Sequence, residues 1–113
     1  MGLFTKVPST NPKAAADQTN GGHAIVLDVR EPTEWSAGHI PGAIHIPLGE
    51  LADRAGELPT DRPIIAACRS GARSAKATKL LNERGLDVTN LEGGTVAWHG
   101  AGLPLDPANG HVA

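Results

Sequence analysis

A four-residue apolar run, Ile64-Ile-Ala-Ala67, ends at the chain's single cysteine, Cys68, and a short loop separates it from an amphipathic stretch over residues 74–84. The run is too short for a helix and has no polar face, so it reads as a strand buried on both sides. In the stretch that follows, Ala75, Thr78, Leu80 and Leu81 recur at helical spacing while Lys76, Lys79 and Glu83 face outward. Gly85 supplies the stop. A doubly buried strand running into a helix is the unit from which parallel sheets are built, because the helices cover the faces.

The same alternation recurs along the chain. Ala24-Ile-Val-Leu-Asp-Val29, bounded by Gly21-Gly22 and Pro32, reads as a buried strand, as does Val88-Thr-Asn-Leu91. Ala43-Ile-His-Ile46, ended by Pro47, is a further strand candidate. Helices are predicted from Asn11-Pro12 toward Thr19, over residues 31–37 with Pro32 in the first turn, over 48–57, and over 95–100. The fold class is therefore α/β, a mainly parallel sheet with helices on both faces.

The 113 residues fit one domain spanning 1–113, with a core over about 10–103 and an irregular C-terminal tail expected to fray. Ten Lys and Arg against twelve Asp and Glu give a net charge of -2 with no long run of either sign. That balance calls for neither nucleic acid nor a membrane surface. Residues 1–10 hold one short apolar patch before Lys6 and Pro8, too short for a signal peptide, and Lys6 stands where a myristoylation signal needs Ser or Thr. A cytoplasmic location is the default. A lone cysteine cannot form an intramolecular disulfide, which fits a reducing compartment.

The loop Cys68-Arg-Ser-Gly-Ala-Arg-Ser74 sits between that buried strand and that helix, hence at the carboxyl edge of a parallel sheet, where ligands bind. Three effects converge on the sulfur. The helix N-terminus offers unpaired N–H groups, Arg69 and Arg73 add positive charge, and Gly71 lets the backbone turn its amides inward. Each favours thiolate over thiol, whose ordinary pKa is about 8.5. The plainer reading is a small buried cysteine in a strand-to-helix turn. Against it, two guanidinium groups beside an inert cysteine would need solvation or an anion.

At this point the chain resembles the rhodanese family over residues 24–103. Leu27-Asp-Val-Arg-Glu-Pro-Thr-Glu-Trp-Ser-Ala-Gly-His-Ile-Pro-Gly-Ala-Ile-His-Ile-Pro47 resembles the family's first signature. The loop from Cys68 to Ser74 resembles its active-site loop, and Leu91-Glu-Gly-Gly-Thr-Val-Ala-Trp98 its C-terminal signature. The resemblance implies a five-stranded, mostly parallel sheet flanked by helices. It also implies sulfurtransfer: Cys68 takes the outer sulfur of thiosulfate or of a protein persulfide donor, and passes it to cyanide or a thiol acceptor in two half-reactions.

By the same resemblance Arg69, Ser70, Gly71, Ala72 and Arg73 form an amide cradle around the persulfide. Arg69 attracts the donor's sulfonate, and Arg73 either braces the loop or contacts the donor's oxygens. Asp28, Arg30 and Ser74 support the site. Asp28 either orients the loop or belongs, with Arg30 and Glu34, to a partly buried ion network. Trp35 and Trp98 read as core anchors, His39 and His45 as hydrogen-bonded fold residues, and Gly93-Gly94 as a tight turn. No metal-ligand spacing occurs, and neither metal nor cofactor is expected.

Two other functions stay open on the sequence. A cysteine phosphatase or arsenate reductase also cradles a thiolate, but such loops place five residues between cysteine and arginine, and here four intervene. A sulfur relay or binding module docking to one partner protein would keep the same fold and loop.

Overall fold

The computed structural model describes residues 7–113, so the reading of residues 1–6 as lacking a leader lies outside the described residues. The elements run β1 (Ser9–Thr10), α1 (Pro12–Asn20), β2 (Ile25–Asp28), α2 (Pro32–Ala37), β3 (Ile44–His45) and α3 (Leu48–Arg54), which tightens into a 3-10 turn, Ala55–Glu57. Then come β4 (Ile64–Ala67), α4 (Ala72–Glu83), β5 (Val88–Leu91) and α5 (Gly94–Gly100). The five strands form one sheet in the order β1-β5-β4-β2-β3. Every pairing is parallel.

β4 lies at the centre, and its alternate residues divide the core. Ile64, Ala66 and Cys68 pack on one face with Leu27, Leu81 and Val88. Ile65 and Ala67 pack on the other with Val26, Leu91 and Trp98. Successive side chains of a strand point to opposite faces, and both faces are covered here, which is why the run carries no polar residue. Register pairs Asp28 with Ala67, and Val29 N–H donates to Ala67 O at 3.0 Å. The ends of β2 and β4 therefore emerge side by side at the carboxyl edge.

Local chemistry sets the helix starts. Asn11 caps α1, its Oδ1 accepting from Ala14 N–H at 2.8 Å, with Pro12 in the first turn. α4 begins at Ala72, two residues ahead of the predicted start, because Gly71 takes φ 111° and turns the chain directly out of the loop. Its buried stripe is Ser74, Ala77, Thr78 and Leu81; Ala75, predicted inward, is half-buried.

Three expectations differ from the structure. β1 was invisible in the sequence: Ser9 and Thr10 become a strand by pairing with Asn90 and Leu91. Trp98 is a core anchor at 3% exposure, its Nε1 donating to Pro104 O at 2.7 Å, but Trp35 is not. Trp35 is partly exposed and stacks with both His39 and His45, with ring centroids 3.5 and 4.6 Å away. The tail over residues 102–113 is irregular but packed: Leu105 is buried, His39 and Asp106 form an antiparallel bridge, and His111 N–H donates to Ala37 O. A Cβ on Gly38 would lie 2.7 Å from His111 O, so the contact depends on that glycine. Among the described residues no helix is long and apolar enough to cross a membrane.

Candidate active site

Cys68 leaves the end of β4 with its side chain turned toward α4, 1% exposed. Its Sγ accepts from Gly71 N–H at 3.0 Å, and Ser74 Oγ lies 3.3 Å away. Burial pushes the Cys68 thiol up, while hydrogen bonds from the Ser74 hydroxyl and from the amides of Ser74, Gly71 and Ser70 pull it down. The hydrogen bonds prevail, and the thiol lies below its ordinary range.

The amides can face the sulfur because the loop's carbonyls are occupied elsewhere. Cys68 O accepts from Thr95 N–H at 2.8 Å and Arg69 O from Val96 N–H at 3.1 Å, so the start of α5 clamps the outer side of the loop. That approach requires Gly94: at φ 61°, a Cβ there would collide with the carbonyls of Cys68 and Arg69. The predicted Gly93-Gly94 turn is thus also a seat for the cysteine loop.

The two loop arginines separate. Arg73 makes a two-pronged bond to Glu34 on α2, Nη1 to Oε1 at 2.8 Å and Nη2 to Oε2 at 2.9 Å. Hydrogen bonding from Arg73 holds the Glu34 carboxyl down at about 2, against the opposing effect of burial and with help from Glu31 N–H. Glu34 in turn raises Arg73, and the Cys68 charge contributes in the same direction. Arg69 is exposed at the rim beside Ser70, and its Nε donates to Ala113 O at 2.9 Å. Ala72 is exposed as the first residue of α4.

Asp28 and Arg30 form a separate, fully enclosed pair, their side chains 2% and 0% exposed. Asp28 accepts from Arg30 N–H, Nε and Nη2, and Arg30 Nη2 also reaches Gly38 O at 2.8 Å. Among the described residues Asp28 bonds to no residue of the cysteine loop. Glu34, grouped with this pair on the sequence, bonds instead to Arg73 on the loop side. His39 and His45 are hydrogen-bonded as predicted, to Trp35 O and Arg30 O.

Sequence reasoning missed one residue of the site. Asn90 on β5 bonds Ser74 Oγ at 2.5 Å and Gly71 O at 3.1 Å. The available signal was a polar side chain in an otherwise buried strand, which needs partners.

A family model described as a rhodanese-like domain matches residues 11–101. The chain belongs to the rhodanese-like family. This rhodanese-like chain is 37% identical over 101 residues to a thiosulfate sulfurtransferase of Pseudomonas fluorescens, covering 87% of each. It is 45% identical over 87 residues to an HTH-type transcriptional regulator of Mycobacterium tuberculosis, covering 75% of this chain but only 38% of the regulator's length. Among solved structures, a rhodanese-related protein of Thermoplasma volcanium superposes with a TM-score of 0.82 at 35% identity, covering 87% of this chain and 96% of that one. Family membership and a sulfurtransferase among the relatives support a rhodanese-like sulfur-transfer role.

Proposed function

We propose that Cys68 is the sulfur-carrying nucleophile of a thiosulfate sulfurtransferase. The observation that carries this reading is the sulfur's surroundings: one buried thiol receiving Gly71 N–H, with the Ser74 hydroxyl in reach and both at the start of α4. The Cys68 thiolate attacks the outer sulfur of thiosulfate. The sulfur–sulfur bond of the donor breaks, its electron pair leaves with sulfite, and Cys68 becomes a persulfide whose outer sulfur is anionic. Cyanide or a thiolate then attacks that outer sulfur, and the electron pair of the persulfide bond returns to Sγ.

The residues divide the work in this reading. The amides of Ser70, Gly71 and Ser74 face the sulfur and stabilise the negative charge as it moves between the two sulfurs. Arg69, exposed at the rim, draws the anionic donor inward. Arg73, held by Glu34, braces the loop and supplies a partly neutralised positive charge. The near-complete burial of Cys68 favours slender reactants, which suits thiosulfate and cyanide.

The test is intact-protein mass after brief incubation with thiosulfate, then cyanide treatment of the same sample. A gain of one sulfur that maps to Cys68 and disappears with cyanide is expected. No gain with thiosulfate, but a gain from a protein persulfide donor, would replace this reading with a partner-specific relay.

A further inference from the structure

Asn90 stands on β5 beside Ala66 of the central strand and is 8% exposed. Its amide can face only one way. Gly71 O is an acceptor, so the NH2 end must point to it, and Oδ1 must then face Ser74. Ser74 Oγ is thus flanked by two atoms that can take its proton: Asn90 Oδ1 at 2.5 Å and Cys68 Sγ at 3.3 Å. A serine hydroxyl has one proton to give.

While Cys68 is a thiol, one arrangement satisfies every atom: S–H donates to Ser74 Oγ, and Ser74 O–H donates to Asn90 Oδ1. Once the sulfur has lost its proton to solvent it needs donors, and a charge-assisted hydrogen bond is roughly twice as strong as a neutral one. Ser74 then turns its proton to Sγ, and Asn90 Oδ1 is left buried without a donor, which opposes the ionisation.

We propose that Asn90 is a positioning residue that competes with Cys68 for the Ser74 proton, so that Ser74 donates to the sulfur only while that sulfur carries charge. This deepens the sulfur-transfer reading and rests on Cys68 being its nucleophile. In the persulfide the charge sits on the outer sulfur, Sγ is neutral, and Ser74 returns to Asn90. When an acceptor takes the outer sulfur, the electron pair comes back to Sγ and Ser74 follows it. A hydrogen bond that forms as charge develops favours the transition state over the resting state.

The remaining groups around Sγ do not have this choice. The amides of Gly71, Ser70 and Ser74 are fixed donors, Arg73 of α4 is committed to Glu34 of α2, and the first amides of α5 serve the carbonyls of Cys68 and Arg69. Among the described groups around Sγ, the Ser74 hydroxyl is the one that can exchange acceptors.

Ultraviolet thiolate absorbance against pH tests the idea on the full chain, whose one cysteine makes the signal unambiguous. Asn90→Leu removes the competing acceptor, and the thiol pKa is expected to fall by about one unit, a tenfold shift in ionisation. Ser74→Ala is expected to raise it, and adding Asn90→Leu to Ser74→Ala should move it no further. Circular dichroism checks each fold, and Asn90→Ala, with the same expected sign, replaces the leucine variant if that one does not fold. A pKa that rises or stays put in the folded Asn90 variant overturns the proposal and leaves Asn90 as a brace for Gly71 O. The titration needs no sulfur donor, so its outcome is independent of whether thiosulfate loads Cys68.

Discussion

Two arginine–carboxylate pairs stand at the same edge of the sheet and share one chemistry, yet their surroundings differ. Asp28–Arg30 joins neighbours in sequence and is sealed, with side chains 2% and 0% exposed. Glu34–Arg73 joins residues of two separate elements and stays open, at 17% and 35%. The sealed pair ties the end of β2 to Gly38 and, through Arg30 O, to His45. The open pair ties α2 to the first turn of α4, at Arg73 of the loop that holds Cys68. Burial, more than the identity of the charges, separates the enclosed pair at the end of β2 from the open pair beside the cysteine loop.

The largest expected effect spares both pairs. Cys68→Ser should keep the circular dichroism spectrum and lose all sulfur uptake from thiosulfate by mass; residual uptake in that variant would sink the proposed mechanism. Next comes Asp28→Ala, which leaves Arg30 buried and uncompensated and should destabilise the chain by about 3–5 kcal/mol in denaturant unfolding. A loss no larger than that of Glu34→Gln would erase the distinction between the pairs.

Glu34→Gln should remove only about 1 kcal/mol of stability, because a partly exposed pair is screened by solvent. It should nevertheless slow sulfur loading by roughly tenfold, equivalent to about 1.4 kcal/mol in the barrier, since Arg73 loses its anchor beside the loop. Unchanged loading would make the open pair a fold element as well. The same pair predicts an acid limb. The Glu34 carboxyl is lowered from 4.5 to about 2 in the folded chain, so its contribution is complete above the unfolded value. It fades as pH falls from 4.5 toward 2. Unfolding measured across that window should show a shallower acid limb in Glu34→Gln than in the parent chain.

The smallest effect belongs to Arg69→Ala. Its exposed side chain should contribute less than about 0.5 kcal/mol to stability, while the apparent affinity for thiosulfate weakens more than the rate of reaction with a neutral alkylating agent. Equal losses with both reagents would assign Arg69 to loop support.

Much of this architecture was legible because it is local. The continuous apolar runs at β2, β4 and β5 announce strands covered on both faces, and the spacing of Thr78 and Leu81 announces the helix that covers one of them. The position of Cys68 between β4 and α4 followed from those two elements alone. β1 was not legible, since Ser9 and Thr10 have no apolar signal and owe their strand to pairing with β5, where Asn90 N–H reaches Pro8 O and Glu92 N–H reaches Thr10 O. Trp35 was misjudged because composition argues that a large aromatic is buried, and only its stacking with His39 and His45 gives it partners near the surface.

Residue pattern over one or two elements was enough to specify the kind of sheet, the place of the cysteine at its carboxyl edge and the glycine that lets the loop turn. That Arg73 belongs to Glu34, that Arg69 stays at the rim and that Asn90 reaches Ser74 emerged from the packing of distant elements. The first and last of these join side chains 39 and 16 residues apart in the chain. A hydrogen bond forms or fails within a few tenths of an ångström, and separations that fine are set by how the packed elements meet.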